Sequence, residues 1–137
     1  VAQGTPLPGT WGNIDNTFVP ASVINDRRGA ATNFGWDLTI TPGNYTVSVY
    51  ISDDDLSNSA TATARNFHLD IEGIRVLNNF RPAQYYVNTY RAGVNPNAVY
   101  AYRIDFPVTV LDTNLDIDVL PLNSSTAEFA AISVVPR

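Results

Sequence analysis

The chain has 137 residues, room for one domain with a sizeable core, and 45% of them are apolar against 15% charged, which excludes a disordered tail. The net charge is −5 and no basic cluster exceeds Arg27-Arg28, so binding to a nucleic-acid backbone is excluded on electrostatic grounds. With no cysteine and no lysine there are no disulfides, Cys-ligated zinc sites, iron–sulfur clusters, thiol nucleophiles or Schiff bases.

Met is absent and Glu appears only at 72 and 128, while Tyr, Thr, Val, Ile, Asn and Pro are plentiful, a bias towards strands joined by polar turns. No apolar run approaches the ~20 residues that span a bilayer, so membrane insertion is not expected. The chain begins at Val1 with neither initiator Met nor signal peptide, as in a processed protein or an excised domain.

In chain order, residues 1–17 carry Gly and Pro without a period and are expected to form an extended arm. FVPASVI (18–24) loosely suits a strand, and INDRRGAATN (24–33) is expected to be a polar loop turning at Gly29. NFGWDLTI then sets Phe34, Trp36, Leu38 and Ile40 at period two, and YTVSVYI does the same with Tyr45, Val47, Val49 and Ile51. Between them TPGN (41–44) fits a type II turn with Gly43 at positive φ, which predicts a hairpin.

SDDDLSNSATATA (52–64) reads as a loop. RNFHLDIEGIRVLNNF (65–80) predicts a second hairpin: Phe67, Leu69 and Ile71 inward, Asn66, His68, Asp70 and Glu72 outward, a turn at Gly73, and Ile74, Val76 and Leu77 on the return. Residues 80–100 are a long Tyr/Asn/Pro segment with no helical period. YRIDFPVTV (102–110) places Tyr102, Ile104, Phe106, Val108 and Val110 on one face, and Pro107 marks an edge strand or bulge. LDTN turns, LDIDVL buries Leu115, Ile117 and Val119, and AEFAAISVV closes the chain. Short strands at regular spacing predict a single all-β domain over 1–137, a sandwich of two antiparallel sheets.

The order of segments resembles the malectin family over roughly residues 34–136. LTITPGNYTVSVYISDDD is similar to that family's strand, P-G turn, Y-T-V strand and acidic loop. Arg65, Phe67 and the Ile71-Glu72-Gly73 turn before Val76-Leu77 resemble its next segment, and FPVTVLDTNLDIDVLP with FAAISVVP resembles its last strands. The resemblance implies a jelly-roll β-sandwich, also described as galactose-binding-like, that binds carbohydrate non-catalytically with loops at one end. It also implies an exported or cell-surface protein.

A sugar site needs aromatic platforms flanked by polar side chains. Five of the seven tyrosines lie within residues 84–103, alongside Gln84, Asn88, Arg91, Asn95, Asn97 and Arg103. Candidate ligand-binding residues are therefore Tyr85, Tyr86, Tyr90, Asn88, Arg91 and Tyr100, with Tyr102 assigned to the core; the alternative is that these tyrosines cap the sandwich. Trp11 is expected as an N-terminal anchor and Trp36 as core. Asp53, Asp54 and Asp55 offer oxygens to a hard cation such as calcium, although three adjacent acids are more often an ordinary solvated loop.

Catalysis finds little support. A single histidine, no G-x-S-x-G elbow and same-face acids at Asp70/Glu72 and Asp116/Asp118 are the pattern of a soluble sheet face. Asn44-Tyr45-Thr46 and Asn123-Ser124-Ser125 match the N-glycosylation triplet. The expected function is glycan binding by an extracellular, non-enzymatic module. The rival is a structural or adhesive module that self-associates, as in a filament, by adding its N-terminal arm to a neighbour's sheet.

Overall fold

The alternating apolar residues of successive strands meet in one space between two β-layers. The computed structural model describes residues 5–7, 27–30, 32–53, 65–89, 100–123, 125 and 127–137. Among these run β1 (Thr5–Leu7), β2 (Arg27–Ala30), β3 (Phe34–Thr39), β4 (Gly43–Asp53), β5 (Phe67–Ile71) and β6 (Ile74–Phe80). A helix, α1 (Pro82–Thr89), precedes β7 (Tyr100–Val110), β8 (Asn114–Pro121), β9 (Ala127–Phe129) and β10 (Ala131–Pro136).

One layer is the four-stranded sheet β3-β8-β5-β6; the other contains β10-β4-β7. The ladder β1-β2-β9 is tied to the second layer through the β9–β10 run, where the Ala130 amide donates to the Tyr50 carbonyl. Every pairing among the described residues is antiparallel. The architecture is the two-layer β-sandwich expected from the strand pattern.

The core is the alternating set: Trp36, Val47, Val49, Ile51, Phe67, Leu69, Ile71, Tyr102, Leu115, Ile117 and Val119 are all buried. Phe129 joins the layers, its ring 5.2 Å from Phe67, 5.8 Å from Trp36 and 6.2 Å from Phe34, each edge to face. Pro107 lies on β7, an edge strand among the described residues, where its missing N–H leaves no gap in a central ladder.

Several expectations are corrected. β3 and β4 do not form a hairpin: β3 pairs with β8 and β4 with β7 and β10, so residues 40–42 arch from one layer to the other. Two strands with one apolar face each serve a sandwich equally well from opposite layers, and periodicity does not separate the cases. Gly43 starts β4 and is not among the described residues with positive φ, so the turn is not type II. Arg27–Ala30, expected in a loop, is a strand between β1 and β9, because ladder hydrogen bonds belong to the backbone and need no apolar pattern. Thr5–Leu7 of the expected arm pairs with β2 of its own chain; the rest of residues 1–17, with Trp11, lies outside the described residues.

The second hairpin matches its prediction. β5 and β6 pair through the two-residue turn Glu72-Gly73, at φ 53° and 71°, the positive values that a type I′ turn requires at both positions. Two of its side chains depart from the alternation. Asn66 is buried, 2% exposed, and Ile74 at the turn is 67% exposed.

Candidate functional site

The helix α1 was not expected, because eight residues carrying one proline show no usable period. Its start nevertheless has a physical logic: Pro82 stands at the first helical position, where a missing N–H costs nothing, and the Arg81 carbonyl accepts the Tyr85 amide at 3.0 Å. Tyr102 on β7 anchors it from below. The Tyr102 hydroxyl donates to the Pro82 carbonyl at 2.8 Å, and its ring stacks on Tyr86 at 6.2 Å and 16°.

Against this helix the end of β6 leaves an open cleft of about 360 Å³, lined by Asn78, Asn79, Phe80, Arg81, Gln84, Tyr85 and Asn88. Gln84 Nε2 donates to Asn88 Oδ1 at 2.9 Å, tying the helical side of the cleft into one turn. Tyr85 is half-buried, its ring 5.2 Å from both Phe80 and Tyr102. Arg81, half-buried, has no ion-pair partner among the described residues.

The β6 wall is shaped by a bulge. Phe67 pairs with Phe80 and Leu69 with Leu77, so β6 carries an extra residue over Asn78–Asn79, and a second shift falls between Leu69 and Asp70. Asn79 takes φ 49°, a left-handed conformation that asparagine tolerates better than most residues. His68 Nδ1 accepts the Asn79 amide at 2.9 Å, and Asn79 Oδ1 accepts Asn66 Nδ2 at 2.7 Å. Behind them the Ser125 hydroxyl accepts the Asn66 amide at 3.0 Å, while the buried Asn66 Oδ1 has no partner among the described residues. The lone histidine therefore caps a bulge.

Of the tyrosine-segment candidates, the structure brings Tyr85 and Asn88 to this cleft, together with Gln84. Tyr86 is a correction: at 0% exposure it is core, because the helical turn points it at Tyr102, and it cannot serve as a stacking platform. Tyr102 is core as expected. Tyr90 and Arg91, and the side chain of Tyr100 at the start of β7, lie outside what is described. Asp53 ends β4; its side chain, and Asp54 and Asp55, also lie outside. No group of three His, Cys, Asp or Glu able to hold a metal occurs among the described residues.

Asn78, Asn79 and Arg81 line the cleft but are not among the sequence candidates. The only signal for them was the polar pair Asn78-Asn79 interrupting an apolar run. Glu128 was also missed: it is 5% exposed and its carboxylate meets Arg65 Nη2 at 2.6 Å, a largely buried ion pair.

A second polar surface covers the outer face of the four-stranded sheet. Asp37 stands opposite Asp116, and Asp118 lies between Gly35 and Asp70. A shallow depression of about 260 Å³ opens above Gly35. Arg75 pairs with Asp70, with Nη2 3.1 Å from Oδ2, and this hydrogen bond holds the Asp70 carboxyl below its usual range. Asp116 is pushed up, by burial first and then by its hydrogen-bonded neighbour Asp37 and the charges of Asp37 and Glu72. Of the acid pairs weighed for catalysis, Asp70 is thus occupied by Arg75 and Asp116 by Asp37 and Asn114.

The fold has close counterparts. The ANXUR1 extracellular domain from Arabidopsis thaliana superimposes on 98% of this chain with a TM-score of 0.76 at 14% identity. The plant receptor FER, in complex with the peptide RALF23 and LLG2, covers 99% with a TM-score of 0.70 at 19% identity. These ectodomains are malectin-like. The chain has a malectin-like fold. A calcium-binding mutant of Bacteroides uniformis β-glucuronidase 2 also matches this malectin-like sandwich over 98% of it, with a TM-score of 0.74 at 15% identity. The chain spans 34% of the ANXUR1 structure, 32% of the FER structure and 14% of the glucuronidase. No family model matches the sequence, and no curated protein matches it significantly.

Proposed function

We propose that this malectin-like domain is a non-catalytic carbohydrate-binding module of an exported or cell-surface protein, and that it takes a glycan in the cleft between β6 and α1. The observation that carries the reading is the composition of that cleft. The amides of Asn78, Asn79, Gln84 and Asn88 and the Arg81 guanidinium supply donors and acceptors for a rim of hydroxyls, and Tyr85 beside Phe80 supplies ring surface for C–H faces. Tyr90, Arg91 and Tyr100, which follow α1 in sequence, are proposed as further contacts. No described helix is long and apolar enough to cross a membrane.

Affinity electrophoresis against soluble β-glucan, xyloglucan, galactomannan and pectin tests the reading. Retention by at least one polysaccharide, weakened in Tyr85→Ala and in Asn88→Ala, supports it. No retention by any of them contradicts it.

A second reading is binding to a protein partner, favoured by the FER structure, in which a malectin-like ectodomain is held with a peptide and LLG2. Self-association through the N-terminal arm would have to use residues other than Thr5–Leu7, or displace them from β2. Scattering from the full chain across a concentration series separates monomer from assembly.

A further inference from the structure

The β5–β6 bulge gives the single histidine a task that goes beyond packing. At a bulge one backbone amide loses its ladder acceptor, and here the Asn79 amide is satisfied by a side chain, His68 Nδ1, at 2.9 Å. We propose that His68 is a positioning residue for the cleft, holding the Asn78–Asn79 wall in place only while its imidazole is neutral. The inference rests on the reading of this cleft as a glycan site.

The chemistry is one of donors and acceptors. An imidazole that accepts at Nδ1 must carry its proton on Nε2; the imidazolium has a donor on each nitrogen and no acceptor. Protonation therefore sets N–H against the Asn79 N–H. Asn79 stands at φ 49°, and its Oδ1 accepts from Asn66, whose own buried Oδ1 has no partner among the described residues. A residue in that conformation persists only while its surroundings impose it. Releasing its amide frees Asn78 and Asn79, two of the cleft's amide-bearing residues.

The ionisable groups facing His68 among the described residues are few. On β5, Asp70 lies on the same face, its carboxylate bound by Arg75 of β6. On β8 the cross-strand partner is Leu120, with Asp118 on the diagonal, and on β6 the neighbour is the uncharged Asn79. Neither Asp70 nor Asp118 restores an acceptor to the Asn79 amide.

Two variants separate positioning from mere packing. His68→Asn keeps a neutral acceptor near the place of Nδ1, and His68→Leu removes it. The wild-type protein, ¹⁵N-labelled, is titrated from about pH 8 to about pH 5 by NMR without ligand, following the imidazole nitrogens and the amides of Asn78 and Asn79. The expected result is an Nδ1 acceptor at high pH and Asn78 and Asn79 resonances that move with the His68 titration. Retention on the best-bound polysaccharide of the panel should fall about tenfold over the same range, the scale of one positioned hydrogen bond. His68→Asn should stay flat within about twofold, and His68→Leu should bind weakly throughout.

An Nδ1–H tautomer at high pH, an Asn79 amide indifferent to His68, or a His68→Asn protein with the wild-type pH profile overturns the proposal. Should His68→Leu fail to fold, the wild-type titration still decides. If the Asn79 amide follows His68 but no polysaccharide is retained, the positioning role stands and the glycan reading falls.

Discussion

Glu72 and Asp116 clasp each other through both backbone and side chain: the Glu72 amide donates to the Asp116 carbonyl at 3.0 Å, and the Glu72 carboxylate accepts the Asp116 amide at 2.8 Å. Glutamate at φ 53° is unusual, and this pair of bonds accounts for it by docking the β5–β6 turn onto β8. Glu72→Ala should keep the strained turn but lose the charged acceptor, costing ~1–2 kcal/mol. Urea denaturation measures it, and Glu72→Gln should recover part of the loss.

The acidic face makes stability depend on pH in a direction set by its two shifted groups. Asp116 is raised in the folded state, so its favourable contribution is complete below its unfolded value and is lost as pH rises through its folded value. Asp70 is lowered by Arg75, so its contribution is present above the ordinary carboxylate range and is lost as pH falls through its folded value. Asp37→Asn removes the like charge opposite Asp116. It should stabilise the protein at neutral pH by up to ~1 kcal/mol and converge with wild type towards about pH 3. Thermal unfolding across that range checks it; a variant less stable than wild type at pH 7 contradicts the assignment.

Gly35 is required by a close approach. A Cβ there would lie 2.1 Å from the Ile117 carbonyl oxygen, a backbone atom that cannot turn aside. Gly35→Ala should cost ~1–3 kcal/mol by forcing β3 away from β8. Slowed hydrogen exchange at the Trp36 amide relative to wild type would contradict this, whereas faster exchange is expected.

Tyr102→Phe keeps the ring stack under α1 and removes the hydrogen bond to the Pro82 carbonyl. The expected loss is ~1 kcal/mol of global stability, with hydrogen exchange rising first in α1.

The parts of this structure that sequence reading reached are those governed by alternation. Val47, Val49 and Ile51, Phe67, Leu69 and Ile71, and Leu115, Ile117 and Val119 are buried as their period demands, and the I-E-G turn is the type I′ hairpin that joins β5 to β6. Which layer a strand joins is not written in its period, and so β3 and β4 read as a hairpin when they face each other across the core. The cleft was harder still. Tyr85 and Asn88 stand out in sequence for their chemistry, but Tyr86 differs from Tyr85 only in which side of a helical turn it occupies, and that turn has no periodic signal. Asn79 lines the cleft because of a bulge, and His68 is its partner because that bulge leaves an amide without a ladder acceptor; both depend on register, which composition does not carry.

The most direct test of the account is an NMR titration of the ¹⁵N-labelled chain with the polysaccharides named above, reduced to soluble oligosaccharides. Saturable shifts are expected to concentrate at Asn78, Asn79, Arg81, Gln84, Tyr85 and Asn88, with the outer face around Asp37 and Asp118 unmoved. Shifts confined to that acidic face, or none with any oligosaccharide, would contradict it.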